Sequence, residues 1–215
     1  MANFDSIIKK HEGKGIPYRD RYDDIRIIVL NMCKYIYSQD TRVINELISQ
    51  YKCFKYIKEI RVDGQNCIIE YDQGVVSFKV FPENFFNHFC LDVLGLEQVS
   101  GQCHNVTQKV LEVCQSDNIS AVTSLCINTN FILYFHSYIC DRNENKIIDF
   151  SRNFIMDKDL YDKLFCYEQI NDLNYYEFNN EIDNSDYDGP LFPLLHLSLE
   201  KLSDKDKVKS YKIGK

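Results

Sequence analysis

The chain of 215 residues has no apolar run near the roughly 20 residues that a membrane-crossing helix needs, so insertion into a bilayer is not expected. Its first residues, Met1-Ala2-Asn3-Phe4-Asp5, lack the basic and apolar regions of a signal peptide, and a cytoplasmic location is the expectation. Basic residues are in the minority, 25 Lys and Arg against 32 Asp and Glu. The resulting net charge of −7 argues against nucleic-acid partners, because sequence-independent binding depends on Lys and Arg neutralising phosphates. There is no internal repeat and no phosphate-binding glycine loop. The nine cysteines, at 33, 53, 67, 90, 103, 114, 126, 140 and 166, contain no Cys-x-x-Cys pair. An odd, scattered set reads as free thiols in a reducing compartment, neither a disulfide framework nor a structural zinc site. Cys103-His104 with Cys114 fits no common finger spacing, and neither metal nor organic cofactor is expected.

What is present suffices for a core. With 45% hydrophobic and 27% charged residues, the chain reads as one domain, with or without an appended lobe. Residues 1–95 form the first unit, a lobe of the same domain or a small subdomain. A polar arm over 1–20 leads to Asp23-Asp24, which cap a helix carrying Ile25, Ile28, Val29, Met32 and Ile36 on one face. A second helix is expected from Asp40 to about Phe54. From Tyr56 to Phe81 the apolar period falls to two, and Asp63-Gly64 and Asp72-Gln73-Gly74 supply turns for a three-strand meander. Pro82-Glu83 opens a short helix that stops at Gly95.

Residues 96–203 hold the chemistry. Cys103 precedes Val106, Val110, Val113 and Cys114 at helical spacing, so its thiol falls at a helix N-terminus. The unpaired N–H groups and positive dipole end there lower a thiol pKa and favour the nucleophilic thiolate. His136 lies in the strand-like run Phe131–Cys140. A polar turn, Asp141–Asn145, precedes a second strand, Lys146–Phe150, which carries Asp149. With Arg142-Asn143 as the central turn residues, Asp141 faces Glu144 and His136 faces Asp149. A one-residue slip would send Asp149 to the other face.

The order Cys, His, Asp, with Cys103 opening a helix and His136 and Asp149 on adjoining strands, resembles the papain-like superfamily of cysteine hydrolases and transferases. The nearest pattern is transglutaminase-like, carried by Gly101-Gln102-Cys103, His136-Ser137-Tyr138-Ile139 and Ile147-Ile148-Asp149-Phe150-Ser151. The resemblance implies an α+β fold, with a nucleophile helix packed on an antiparallel sheet and the N-terminal helices and meander added to it. It also implies a Cys103-His136-Asp149 triad acting on amide bonds of a protein or peptide through an acyl-thioester, as a peptidase, deamidase or transglutaminase does. Papain-like enzymes place an oxyanion glutamine shortly before the nucleophile, which makes Gln98 a candidate. Its simpler reading is a solvated loop residue. Two departures stand out: His104 follows the cysteine where the family often has an aromatic residue, and the chain has no Trp. They motivate the competing reading of an inactive papain-like fold serving as a protein-binding module.

Beyond the hairpin, residues 157–168 read as a helix. The Asn- and Tyr-rich stretch 168–188 reads as a long solvated loop or a substrate-binding flap. Leu191 to Leu202 returns to an apolar pattern, and the Lys-rich segment 204–215 reads as a flexible tail.

Overall fold

A computed structural model of the chain describes residues 8, 10–18, 21–83, 88–96, 101–188 and 191–212, with side chains described up to residue 205. The fold is mixed α and β. One antiparallel sheet of eight strands has the order β1-β2-β3-β7-β6-β5-β4-β8. The strands are β1 (Ile57–Asp63), β2 (Asn66–Tyr71), β3 (Gly74–Val80), β4 (Ile119–Ile127), β5 (Leu133–Asp141), β6 (Lys146–Asp149), β7 (Phe154–Asp157) and β8 (Cys166–Asn174). Pairing of β3 with β7 joins the N-terminal meander to the strands that carry His136 and Asp149.

Helices α1 (Arg21–Tyr37), α2 (Thr41–Tyr51) and α4 (Lys158–Phe165) cover one face of the sheet. Their core includes Ile25, Ile28, Met32, Ile69, Val76, Phe78, Tyr138, Phe154, Tyr161 and Phe165. Burying Ile25, Val29 and Met32 stabilises α1 by about 1.5–3 kcal/mol each. That outweighs the few tenths of a kcal/mol by which their helix propensity falls short of alanine. Helix α2 starts as its sequence suggests, with the Asp40 side chain accepting from the Val43 N–H at 3.1 Å.

The opposite face holds α3 (Cys103–Cys114), α5 (Tyr175–Asp183) and α6 (Pro193–Lys212). Val106 and Val110 of α3 pack with Ile139 and Phe150. Leu194 and Leu197 of α6 join Leu111, Ala121, Leu173 and Phe178.

Several expectations need correction. Residues 168–188 are no solvated loop, for they contain the rest of β8 and all of α5. Two irregularities in the β4–β8 pairing, at Thr123/Ser124 and Leu125/Cys126, break the alternation that would have marked the strand. The polar residues that looked like loop material cap α5 instead: the Asn174 side chain accepts from the Glu177 N–H, and Glu177 reaches back to the Asn174 N–H. Nor is 204–215 a tail as a whole, because α6 runs to Lys212 with no Gly or Pro between Pro193 and Lys212 to stop it, and Lys205 Nζ reaches Glu168 Oε1 at 3.1 Å. Between Val80 and Gly95 the described helical residues are Glu83, at the opening of the expected helix, and His88–Val93 in π-helical form.

The hairpin register also differs. Asp141 pairs with Lys146 and Ile139 with Ile148, so the turn has four residues, Arg142–Asn145, with Asn145 at a φ of 53°. The Asp141 side chain accepts from the Asn143 and Glu144 N–H groups at 3.0 and 3.1 Å, which favours this longer turn over the two-residue one. Asp149 therefore lies level with Tyr138 and not with His136. The shift is two residues, an even number, and Asp149 keeps the face of His136.

Candidate active site

Cys103 is the first residue of α3. Gly101 before it has a φ of 75°, a left-handed conformation that glycine adopts without strain and that turns the chain into the helix. The first bond of the helix runs from the Val106 N–H to the Gln102 carbonyl at 2.9 Å, so the N–H groups of Cys103, His104 and Asn105 have no intrahelical acceptor. Gln102 supplies no side-chain cap, and its Oε1 accepts from Asn105 Nδ2 at 2.7 Å. The half-buried sulfur thus sits beside donor groups at the positive end of a helix dipole.

Strand β5 presents alternate residues to alternate faces. Ser137 and Ile139 face α3, whereas His136 and Tyr138 point to the face covered by α1 and α4. A thiol on one face meets an imidazole on the other through a gap in the sheet. On the β6 side, β5 pairs only at Ile139, Cys140 and Asp141. At its start, Gly13 and Lys14 of the N-terminal arm bond to Leu133, and Gly15 bridges Ile132. Between these two ends, Tyr134 to Tyr138 have no strand neighbour on that edge among the described residues. His136 is central in the gap, and its ring and the Cys103 thiol shift each other's pKa, the thiol downward and the imidazole upward.

The other side of the imidazole is held by Asp149. His136 Nε2 donates to Asp149 Oδ2 at 2.9 Å, with the histidine 2% and the aspartate 0% exposed. That leaves Nδ1 for the sulfur. Asp149 accepts three further bonds: Tyr161 Oη donates to Oδ2 at 2.8 Å, while Ser151 Oγ and the Arg152 N–H donate to Oδ1 at 3.1 and 3.0 Å. The Arg152 guanidinium lies 3.6 Å from Oδ2, donates to the Tyr161 hydroxyl at 2.8 Å and to the Tyr134 hydroxyl, and stacks on Phe165 with its central carbon 4.5 Å from the ring centroid.

Arg152 and His136 bring positive charge to this cluster, and Asp149 and Cys103 negative charge. Burial alone would push Cys103 toward the neutral thiol, but hydrogen bonds from His104 and His136 and their charges bring it down to about 5. Burial likewise opposes a charged His136, and the Asp149 carboxylate overcomes it and raises the imidazole above its usual value, with Arg152 acting against the rise. Asp149 itself is held well below the usual carboxylate range: burial opposes its ionisation, and the His136 charge and hydrogen bond, with Arg152 and Tyr161 behind them, prevail. The ionic form is therefore a thiolate beside an imidazolium, the form that attacks a carbonyl.

The structure brings Cys103, His136 and Asp149 together. Gln98 lies outside the described residues. Reading the sequence did not single out Arg152 or Tyr161 as parts of the site. Arg152 stands three residues after Asp149 and Tyr161 twelve, and no pattern in the sequence ties either to a carboxylate. A cavity of about 750 Å³ lined by Tyr37, Asn45, Asn66 and Lys79 lies between α1, α2 and the meander and includes none of the three residues. Comparison of the chain with protein-family models, with curated proteins and with solved structures finds no match.

Proposed function

We propose that the protein is a cysteine-dependent amide-bond hydrolase or acyl transferase, a peptidase, deamidase or transglutaminase-like enzyme. What carries this reading is the His136 imidazole held between a depressed-pKa thiol and a buried, fully hydrogen-bonded carboxylate. A thiol in an apolar core is held neutral, as Cys33, Cys67 and Cys126 are here, so the ionised Cys103 is what sets this site apart from packing. The placement of α3 against β4, β5 and β6 supports the papain-like, transglutaminase-like reading of the core.

In the reaction the Cys103 thiolate adds to the amide carbonyl, and the tetrahedral oxyanion is met by the free N–H groups at the start of α3. As the C–N bond breaks, the His136 imidazolium protonates the departing amine or ammonia and leaves an acyl-thioester on Cys103. Neutral His136 then takes a proton from water or from an acceptor amine, which attacks the thioester and releases the thiolate. Asp149 fixes the ring and stabilises its charged form. The substrate is a protein or peptide, and nine free thiols suit a reducing, cytoplasmic setting.

Hydroxylamine tests the reading without knowledge of the natural acceptor, because it intercepts any acyl-thioester. Incubating the protein with a mixed peptide digest and hydroxylamine should yield peptide hydroxamates, and the Cys103→Ala variant should yield none. New chain ends identify a peptidase, and hydroxamates on glutamine side chains identify a deamidase or transglutaminase. Absence of hydroxamates together with a Cys103 no more reactive than the exposed Cys53 and Cys114 would favour the binding module.

A further inference from the structure

His104 occupies the position directly after the nucleophile, and the fold gives it an anchor of its own. Its Nδ1 lies 2.7 Å from Ser137 Oγ, and Ser137 Oγ lies 2.5 Å from Thr123 Oγ1 on the neighbouring strand. Its ring stacks on Phe192 at 6.2 Å between centroids, and the residue is 7% exposed. Ser137 is next to His136 in sequence, so the two imidazoles are tied to β5 from opposite faces. Both rings act on the Cys103 thiol and lower its pKa, by hydrogen bonding and by charge.

We propose that His104 is a second thiolate-holding residue, a hydrogen-bond donor to the Cys103 sulfur positioned by Ser137 and Thr123, while His136 alone transfers protons. The inference rests on the cysteine-enzyme reading above and deepens it. The two rings differ in what stands behind them. His136 is backed by a buried carboxylate, which stabilises a positive imidazolium and equips the ring to gain and lose a proton during turnover. Behind His104 stand only two hydroxyls, which orient the ring but supply no negative charge. Its contribution is to hold the thiolate, by hydrogen bond and by charge. That bond serves the free thiolate before it attacks and again as it leaves the thioester, alongside the imidazolium of His136. The other titratable group that lowers the sulfur is His136 from β5, and the sulfur in turn acts on Cys126 of β4, so the contribution of His104 is separable by substitution.

The test follows the alkylation of Cys103 by iodoacetamide across pH, with the modified peptide identified by mass spectrometry so that the other eight thiols do not interfere. His104→Ala should move the midpoint up by about one unit, which slows alkylation about tenfold at about pH 4 and less than about twofold at about pH 6. His104→Gln, which keeps an N–H donor, should recover part of the shift, and Ser137→Ala should move the midpoint in the same direction by less. Thermal midpoints of all three confirm folding, and the latter two carry the test if His104→Ala does not fold. A wild-type midpoint near 5 that none of the variants moves would overturn the role of His104 and leave the proposed enzyme standing. A wild-type midpoint in the ordinary thiol range would remove both.

Discussion

His136 and Asp149 are offset by two positions in the β5–β6 register, and the Nε2–Oδ2 hydrogen bond still closes at 2.9 Å. Diagonal neighbours on one face of an antiparallel pair lie within reach of a long or ring side chain. The offset places the imidazole beyond the last paired residue of β5, in the gap where the thiol arrives from the far side of the sheet.

The thiol and imidazole set the limits of the active pH range. Cys103 is depressed to about 5 and His136 is raised above 6.5, so the thiolate–imidazolium form fills the window between those two values. Hydroxamate formation should rise as pH passes about 5 and fall once His136 loses its proton above 6.5. Alkylation of Cys103, which needs only the thiolate, should rise over the same acid limb and show no fall on the alkaline side. A single alkylation midpoint near 9 would contradict the ion pair.

Asp149→Asn keeps the shape of the side chain but weakens the hold on the imidazole tautomer and its charge. By analogy with serine triads the loss of turnover reaches about ten-thousandfold. Stability should respond to acid as well. Because Asp149 is depressed in the folded state, its contribution is fully present above the ordinary carboxylate value of 3.8 and is lost as pH falls through its lowered value. The difference in denaturation midpoint between wild type and Asp149→Asn should therefore shrink in strong acid, and also narrow as pH rises through the raised value of His136. Full turnover in the variant would reduce the site to a Cys103–His136 dyad.

Tyr161 relays Arg152 to Asp149, accepting from the guanidinium and donating to the carboxylate, each at 2.8 Å. Tyr161→Phe leaves a buried donor and a buried acceptor each short of a partner. The expected cost is about 1–3 kcal/mol, read as a lower denaturant midpoint at unchanged slope. Because His136 depends on Asp149 for its charge, hydroxamate formation should fall too. A variant of unchanged stability would mean that Arg152 satisfies Asp149 without the phenol.

The capping box at α5 separates a structured 168–188 segment from a solvated one. Asn174→Ala removes the side-chain acceptor for the Glu177 N–H and should cost about 1 kcal/mol. Backbone hydrogen exchange along β8 should be slow in the wild type and faster in the variant. Rapid exchange throughout 168–188 in the wild type would favour the loop.

Local signals in the chain were enough to locate α1 and α2, the meander, β4, the helix that begins at Cys103 and the two strands that follow it. Each is marked by apolar spacing and by turn or cap residues close in sequence, which is the information a single chain carries. The face shared by His136 and Asp149 was also legible, because alternation along a strand survives any even change of register. Residues 168–188 were not. Bulges opposite β4 removed the two-residue period of β8, and Asn174 and Glu177 resemble loop residues until the N–H groups they cap are in place. The hairpin register turned on which donors the Asp141 side chain satisfies, a choice between two turns that one sequence permits. Only the tertiary structure brought Arg152 and Tyr161 to Asp149, since burying a carboxylate requires donors from wherever the chain passes and no spacing rule governs their position. The same holds for His104. Its clamp is assembled from α3, β5 and β4, and a histidine beside a cysteine reads as a departure from a pattern until Ser137 and Thr123 lie against it.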